Sequence, residues 1–256
     1  MRKFKATSPS IRWKKKIFLP NKINYFNKFF KKLKSNAGRS INGKIILKSK
    51  GKKYINKYFL YDDKRVFLTN TAVILKIKIN INNSIIGLLK YSTGIISTIK
   101  IPYGSTIGNY VKSTMFPIKL FNATSILGFR VFLYMLTNNI IFFDICNVNK
   151  NSVYTKANGT FSHIIKSNID LNLILILLPS GKKKYVTTDY ICTLGRNNNI
   201  FKKNIVVGNA GLNRISGKSV TVRGVAMNPV DHPHGGRTKT NKPEVSPWGW
   251  VTKHSH

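Results

Sequence analysis

The chain has 256 residues, with 44 Lys and Arg against 7 Asp and Glu, a formal net charge of +37. Its 42% hydrophobic and 11% aromatic residues can bury a core, which excludes a purely disordered basic tail. A charge this large repels itself unless a polyanion neutralises it, so the partner class is nucleic acid or an anionic membrane surface.

In chain order, residues 1–51 carry 16 Lys and Arg and no acid, residues 52–200 carry 19 against 5 acids, and residues 201–256 carry 9 against 2. The middle is the expected globular part. The ends are expected to be basic extensions, too polar and too rich in Gly, Asn and Lys to fold alone. Within the first end, residues 22–34 place Ile23, Phe26, Phe29, Phe30 and Leu33 on one helical face. The spacing predicts a short helix, either docked on RNA and neighbouring protein or lying on a membrane surface.

The middle reads as β. Val73 to Ile81 alternates, with Val73, Leu75, Ile77 and Ile79 on one face and Lys76, Lys78 and Asn80 on the other. Ser84 to Lys90 and Ile95 to Ile101 flank a turn at Ser92-Thr93-Gly94. Ile126 to Leu136, Ile140 to Ile145 and Thr160 to Ile165 follow. Leu171 to Leu178 and Tyr185 to Leu194, around Pro179-Ser180-Gly181-Lys182, form the clearest hairpin. Short strands at this spacing over about 150 residues predict two small β-barrels.

Several chemistries lack their parts. Apart from Asp62 and Asp63, the acids (Asp144, Asp170, Asp189, Asp231 and Glu244) are widely spread, which gives paired-carboxylate catalysis little to work with. Cys146 and Cys192 have no Cys or His at zinc-ligand spacing and read as reduced, buried thiols. No apolar run reaches the roughly 18 residues of a membrane span; the best, Ile126 to Ile145, is interrupted by Arg130, Asn138, Asn139 and Asp144. No cofactor is expected. The 32 Ile, 28 Asn and 35 Lys against 7 Ala point to an A/T-rich gene, as in an organelle or a reduced genome.

The most informative segment is 223–236, RGVAMNPVDHPHGG. Asn228-Pro229 and His232-Pro233 impose turns or extended backbone, and Gly235-Gly236 lets the backbone approach another surface closely. No core can form from it, so it holds a shape only against something large. Folded RNA supplies phosphates, sugar hydroxyls and base edges for its His, Asn and Arg side chains. Three readings stand for His232 and His234. One is a metal site completed by His254 and His256. Another is a catalytic His oriented by Asp231, as in an RNA-processing hydrolase. The third, and the preferred one, is polar contact with RNA.

On this segment the chain closely resembles the large-subunit ribosomal protein number two family, the universal L-two family. The resemblance extends through KATSPS at 5–10, GRSINGKI at 38–45 with Lys44 in place of Arg, YSTGIISTIKIPYG at 91–104, NGTFSHII at 158–165, LPSGKKKYV at 178–186, TLGRNNN at 193–199, all of 208–236, and VSPWGW at 245–250. It implies an oligonucleotide-binding-type barrel at 52–112 and an SH3-like barrel at 113–200. Basic rRNA-binding extensions at 1–51 and 201–256 flank them. The implied partners are large-subunit rRNA, neighbouring ribosomal proteins and the small subunit across the intersubunit face. The implied role is structural, near the peptidyl-transferase region and in subunit association, and not enzymatic.

By the same resemblance, Arg39, Lys44, Arg214, Arg223, Asn228, His232, His234, Gly235, Gly236 and Trp248 are the RNA-contacting positions. Arg237 is counted with them, although the family usually continues Gly-Glu-Gly where this chain has Arg237-Thr238-Lys239-Thr240. The family's proposed aid to peptide-bond formation falls on His232, read here as a structural contact. Family Arg residues are missing near Ser216 and Ser219, and the Gly/His-rich link after residue 45 is reduced to Lys48-Ser49-Lys50-Gly51. The family-like start at Lys5 leaves no room for a transit peptide. With the A/T-rich composition, this points to an organelle-encoded mitochondrial protein, a plastid being the alternative.

Overall fold

The computed structural model describes residues 1–17, 29–33, 35–51, 56–62, 65, 70–80, 83–113, 127–138, 140–147, 152–168, 170–238 and 244–252. As expected, it is mainly β. Two compact units emerge. One comprises Met1–Lys34 with Ile55–Ala210, and the other Ser35–Tyr54 with Gly211–His256.

In the first unit β1 (Arg2–Lys3) pairs with β2 (Lys15–Lys16) around α1 (Pro9–Arg12). Pro9 suits the first turn of α1, where its missing N–H has no intrahelical acceptor. Next, β3 (Phe30–Leu33) pairs antiparallel with β4 (Asn56–Phe59), Phe30 opposite Phe59 and Leu33 opposite Asn56. The helix expected over 22–34 is therefore corrected at its described end. Pairing with a distant strand overrides a local helical spacing of apolar residues. Residues 22–28 and 34 lie outside the described residues.

The first sheet contains β5 (Ala72–Ile79), β6 (Ile85–Tyr91), β7 (Ile96–Lys100) and β8 (Tyr110–Val111), in the antiparallel order β7-β6-β5-β8. The expected alternation of β5 changes phase. Ile74 lies opposite Leu89 and Lys76 opposite Leu88, so Leu75 is an extra, bulged residue. Ala72 and Ile74 point inward before the bulge, and Ile77 and Ile79 pack on the same core after it. Val73 and Leu75 thus leave the face predicted for them. The strand β6 is buried on both sides: Ile85, Leu89 and Tyr91 join that core, while Ile86 and Leu88 meet Phe59, Phe29 and Tyr61.

The second sheet is larger. Strands β9 (Arg130–Phe132), β10 (Ile141–Cys146), β12 (Ser162–Asn168), β13 (Leu173–Leu177), β14 (Lys183–Thr187) and β15 (Ile191–Leu194) run in the order β14-β13-β12-β10-β15-β9. A seventh, β11 (Ser152–Tyr154), also pairs with β10. Phe142, Ile145, Ile164, Ile174, Ile176 and Leu194 lie at the centre of its core. Two expectations change here. The run 185–194 is not one strand: β14 returns on β13, whereas β15 pairs with β10 and β9. The strand expected over 126–136 is confined to β9, followed by a 3-10 turn at Leu133–Met135; residue 126 lies outside the described residues.

A buried polar network joins the two sheets. Lys100 Nζ of β7 donates to Asp144 Oδ1 of β10 at 2.6 Å and lies 4.4 Å from the Tyr61 ring centroid. Arg130 donates to the Asp144 carbonyl at 2.8 Å and to Thr193 Oγ1 at 2.7 Å. Arg65 reaches the Gly128 carbonyl at 3.0 Å and Thr193 Oγ1 at 3.2 Å. Burial, reinforced by neighbouring Arg130, pulls the Arg65 guanidinium down to about 10. Asp144 adopts φ 56° where the ladder of β10 is interrupted, which brings its carboxylate and carbonyl to two different cations.

Candidate nucleic-acid interface

All eleven residues expected to contact RNA belong to the second unit, Arg39 and Lys44 on its first segment and the other nine on its second. The segments are stitched by backbone. Lys50 bridges Lys218, Gly51 N–H donates to the Gly217 carbonyl at 3.2 Å, and Ser219 N–H to the Ser49 carbonyl at 3.0 Å. The Ser49 and Thr221 hydroxyls are hydrogen-bonded at 2.6 Å. Among the described residues of this unit only Gly217 is buried. Both apolar cores of the barrel sheets belong to the first unit.

The second unit, like the first, is cationic. Segment 35–54 carries six Lys and Arg and 211–256 carries seven, against Asp231 and Glu244 alone. Arg39, Lys44, Arg214, Arg223 and Arg237 are exposed. Arg39 and Lys44 sit on a tight loop closed by the Arg39–Ile45 bridge and by Ser40 N–H donating to the Lys44 carbonyl at 2.8 Å. Lys50 directly opposite Lys218 places like charges across a bridge, an arrangement that is unfavourable until an anion lies beside it. Neither lysine is among the expected contacts, although Lys50 lies in the 48–51 link and Lys218 in the 208–236 segment.

The 223–236 loop is shaped by its own hydrogen bonds. A 3-10 turn spans Gly224–Ala226. The Asn228 carbonyl accepts from the N–H groups of Asp231 at 2.9 Å and His232 at 3.1 Å, and Gly235 N–H donates to the His232 carbonyl at 2.8 Å. The His232 and His234 rings meet edge to face, 4.6 Å between centroids. His234 N–H donates to His232 Nδ1 at 3.1 Å, so that nitrogen is an acceptor. Thr252 Oγ1 donates its one proton to the Glu244 carbonyl at 2.9 Å, so His234 Nε2 must donate to Thr252 across 2.5 Å.

One nitrogen of each imidazole, His232 Nδ1 and His234 Nε2, is therefore engaged in holding the loop. The contact found at His232 Nδ1 is the His234 N–H rather than the Asp231 carboxylate. No cluster of three metal-ligating side chains occurs among the described residues; His254 and His256 lie outside them. Gly235, at φ 61°, lies against Pro247, and a Cβ there would collide with the Pro247 ring. This contact links the loop to a hairpin in which Val245 bridges Val251 and Ser246 N–H donates to the Trp250 carbonyl at 2.7 Å. The hairpin exposes Trp248 at 82% and Trp250 at 72%. Trp250, at the end of the same VSPWGW run, is a further exposed ring outside the expected contacts. Among the described residues, no helix is long and apolar enough to cross a membrane.

These features define a class: a mainly β protein of two antiparallel sheets carrying a cationic, internally braced extension with no core among its described residues. Comparison narrows it. Residues 135–249 match the family described as Ribosomal Proteins L2, C-terminal domain. The chain is similar to Large ribosomal subunit protein uL2m of Reclinomonas americana, 30% identical over 99% of this chain and 91% of that one. It is also similar to Large ribosomal subunit protein uL2 of Xanthobacter autotrophicus (31% identical, 99% of this chain and 91% of that one) and of Methylocella silvestris (30%, 99% and 90%). The chain belongs to the L2 family of large-subunit ribosomal proteins, a family of structural components rather than enzymes. Its two sheets correspond to the family's oligonucleotide-binding-type and SH3-like barrels.

Proposed function

We propose that this chain is built into the large ribosomal subunit of a mitochondrion by binding its rRNA through the second unit. The 223–236 loop then lies near the peptidyl-transferase region and supports subunit association and translation. In this reading residues 1–51 and 201–256 are the rRNA-binding extensions, and 52–112 and 113–200 are the two barrels. Arg39, Lys44, Arg214, Arg223 and Arg237 neutralise phosphates; Asn228, His232 and His234 present polar edges; Gly235 and Gly236 allow close backbone approach; Trp248 offers a stacking face. The similarity to a uL2m protein supports the mitochondrion. The A/T-rich composition supports it as well.

One observation carries the reading: a unit with only Gly217 buried among its described residues has its loop braced hydrogen bond by hydrogen bond. Such a unit has a defined surface without a core to stabilise it, as expected of a segment completed by RNA. The test is incorporation of a tagged chain in which Arg39, Lys44, Arg214 and Arg223 are all replaced by Ser, expressed beside the native chain. The variant should keep a protease-resistant first unit yet enter large subunits poorly. Incorporation equal to the native chain would contradict the reading.

A further inference from the structure

Outside the second unit, the first unit contains a preformed cavity of about 890 Å³ between the 157–161 loop, the end of β13 with its turn, and the 200–203 turn. The size falls within the range of about 300–1,000 Å³ typical of small-ligand sites. Its apolar surface comes from Phe161, Leu177, Leu178, Pro179 and Ile200. Arg196, Lys202, Lys203 and His163 supply polar groups, and no acid is among the described residues that line it.

The walls are rigid. Arg196 Nε donates to the Gly159 carbonyl at 2.8 Å while its guanidinium lies 5.1 Å from the Phe161 ring centroid, which fixes ring and cation together. Buried Asn197 donates from one amide to the carbonyls of Lys156 at 3.1 Å and Ala157 at 2.9 Å. Gly159, at φ 76°, comes so close to Ile200 that a Cβ would lie 3.0 Å from its Cα. The loop, the Arg196 wall and the 200–203 turn are thus one braced construction.

We propose that this cavity receives an unstacked nucleotide of RNA, its base against Phe161 and the apolar floor and its phosphate at Lys202 and Lys203. The inference rests on the reading that the chain lies against rRNA, and adds a nucleotide site where the second sheet meets the first residues of the 201–256 extension. Charge decides the occupant. An aromatic platform beside three cations with no acid fits a ligand that is flat and anionic. An apolar peptide segment would use the floor but leave the cationic side unmatched.

The test uses large subunits isolated with the full chain in place. They are irradiated at 254 nm, and nucleotide adducts are mapped on peptides of this chain. The native chain should yield an adduct on the peptide containing Phe161. Phe161→Leu should abolish that adduct while adducts within 208–236 persist. Lys202→Ser with Lys203→Ser, both exposed and outside the core, should reduce it in subunits that still sediment normally. Adducts within 208–236 without one at Phe161, or the Phe161 peptide cross-linked to another protein instead, would overturn the pocket and leave the wider reading standing. Absence of the chain from large subunits would overturn both.

Discussion

Gly235 and Asp144 are the two residues whose replacement separates site from scaffold. At Gly235 a β-branched side chain meets two obstacles, a left-handed φ of 61° and the Pro247 ring. Gly235→Val should therefore release the loop from the 245–251 hairpin, lowering incorporation into subunits while the unfolding midpoint of the barrels stays unchanged. An equal loss of both would place Gly235 in the scaffold. Asp144 is the opposite case. Its carboxylate lies 2.6 Å from Lys100 Nζ and 3.8 Å from Arg130 Nη1, all three side chains being buried. Asp144→Ala leaves those cations without that carboxylate, a change that costs roughly 3–5 kcal/mol in comparable buried pairs. Urea denaturation should show that loss, and a change below about 1 kcal/mol would mean the network relaxes freely. The sequence showed the 223–236 loop because its Pro, Gly and His residues are contiguous. It could not show that Lys100, Asp144, Arg130 and Arg65 meet, since only the packing of two sheets brings them together.

At the scale of elements, alternation located β5, the hairpin around Ser92-Thr93-Gly94 and the turn at 179–182, but it assigned the wrong face at one place. A period of two has no memory of an extra residue, so the bulge at Leu75 shifted every earlier position to the other side. Ile74 is 0% exposed and Leu75 37%. Ile74→Ala should thus cost about 2–5 kcal/mol, whereas Leu75→Ser should stay within about 0.5 kcal/mol. Chemical unfolding of the two variants checks this; the reverse order would restore the uninterrupted alternation. Strand β3 was illegible for a related reason. Phe29, Phe30 and Leu33 suit a helical face as well as a strand, and only the distant partner β4 decides between them. The end of the expected 185–194 strand was missed because β14 and β15 are separated by a turn of ordinary polar residues, with neither Gly nor Pro to mark it.

The first unit supplies the apolar cores and most of the positive charge, whereas the second is cationic with only Gly217 buried among its described residues. Sequence composition gave the partner class and the motifs gave the family. The union of 35–51 with 211–252 was not legible, because isolated backbone bridges between remote segments leave no periodic trace. If the second unit holds rRNA chiefly through phosphates, attachment must weaken with salt as counterions return, by roughly one unit of logarithmic slope per lost contact. Attachment to rRNA is therefore tested most directly by sedimentation of organelle lysate at moderate salt, with and without RNase, followed by detection of this chain. The chain should comigrate with the large subunit and lose that position after RNase. A light position that RNase does not alter would contradict that attachment.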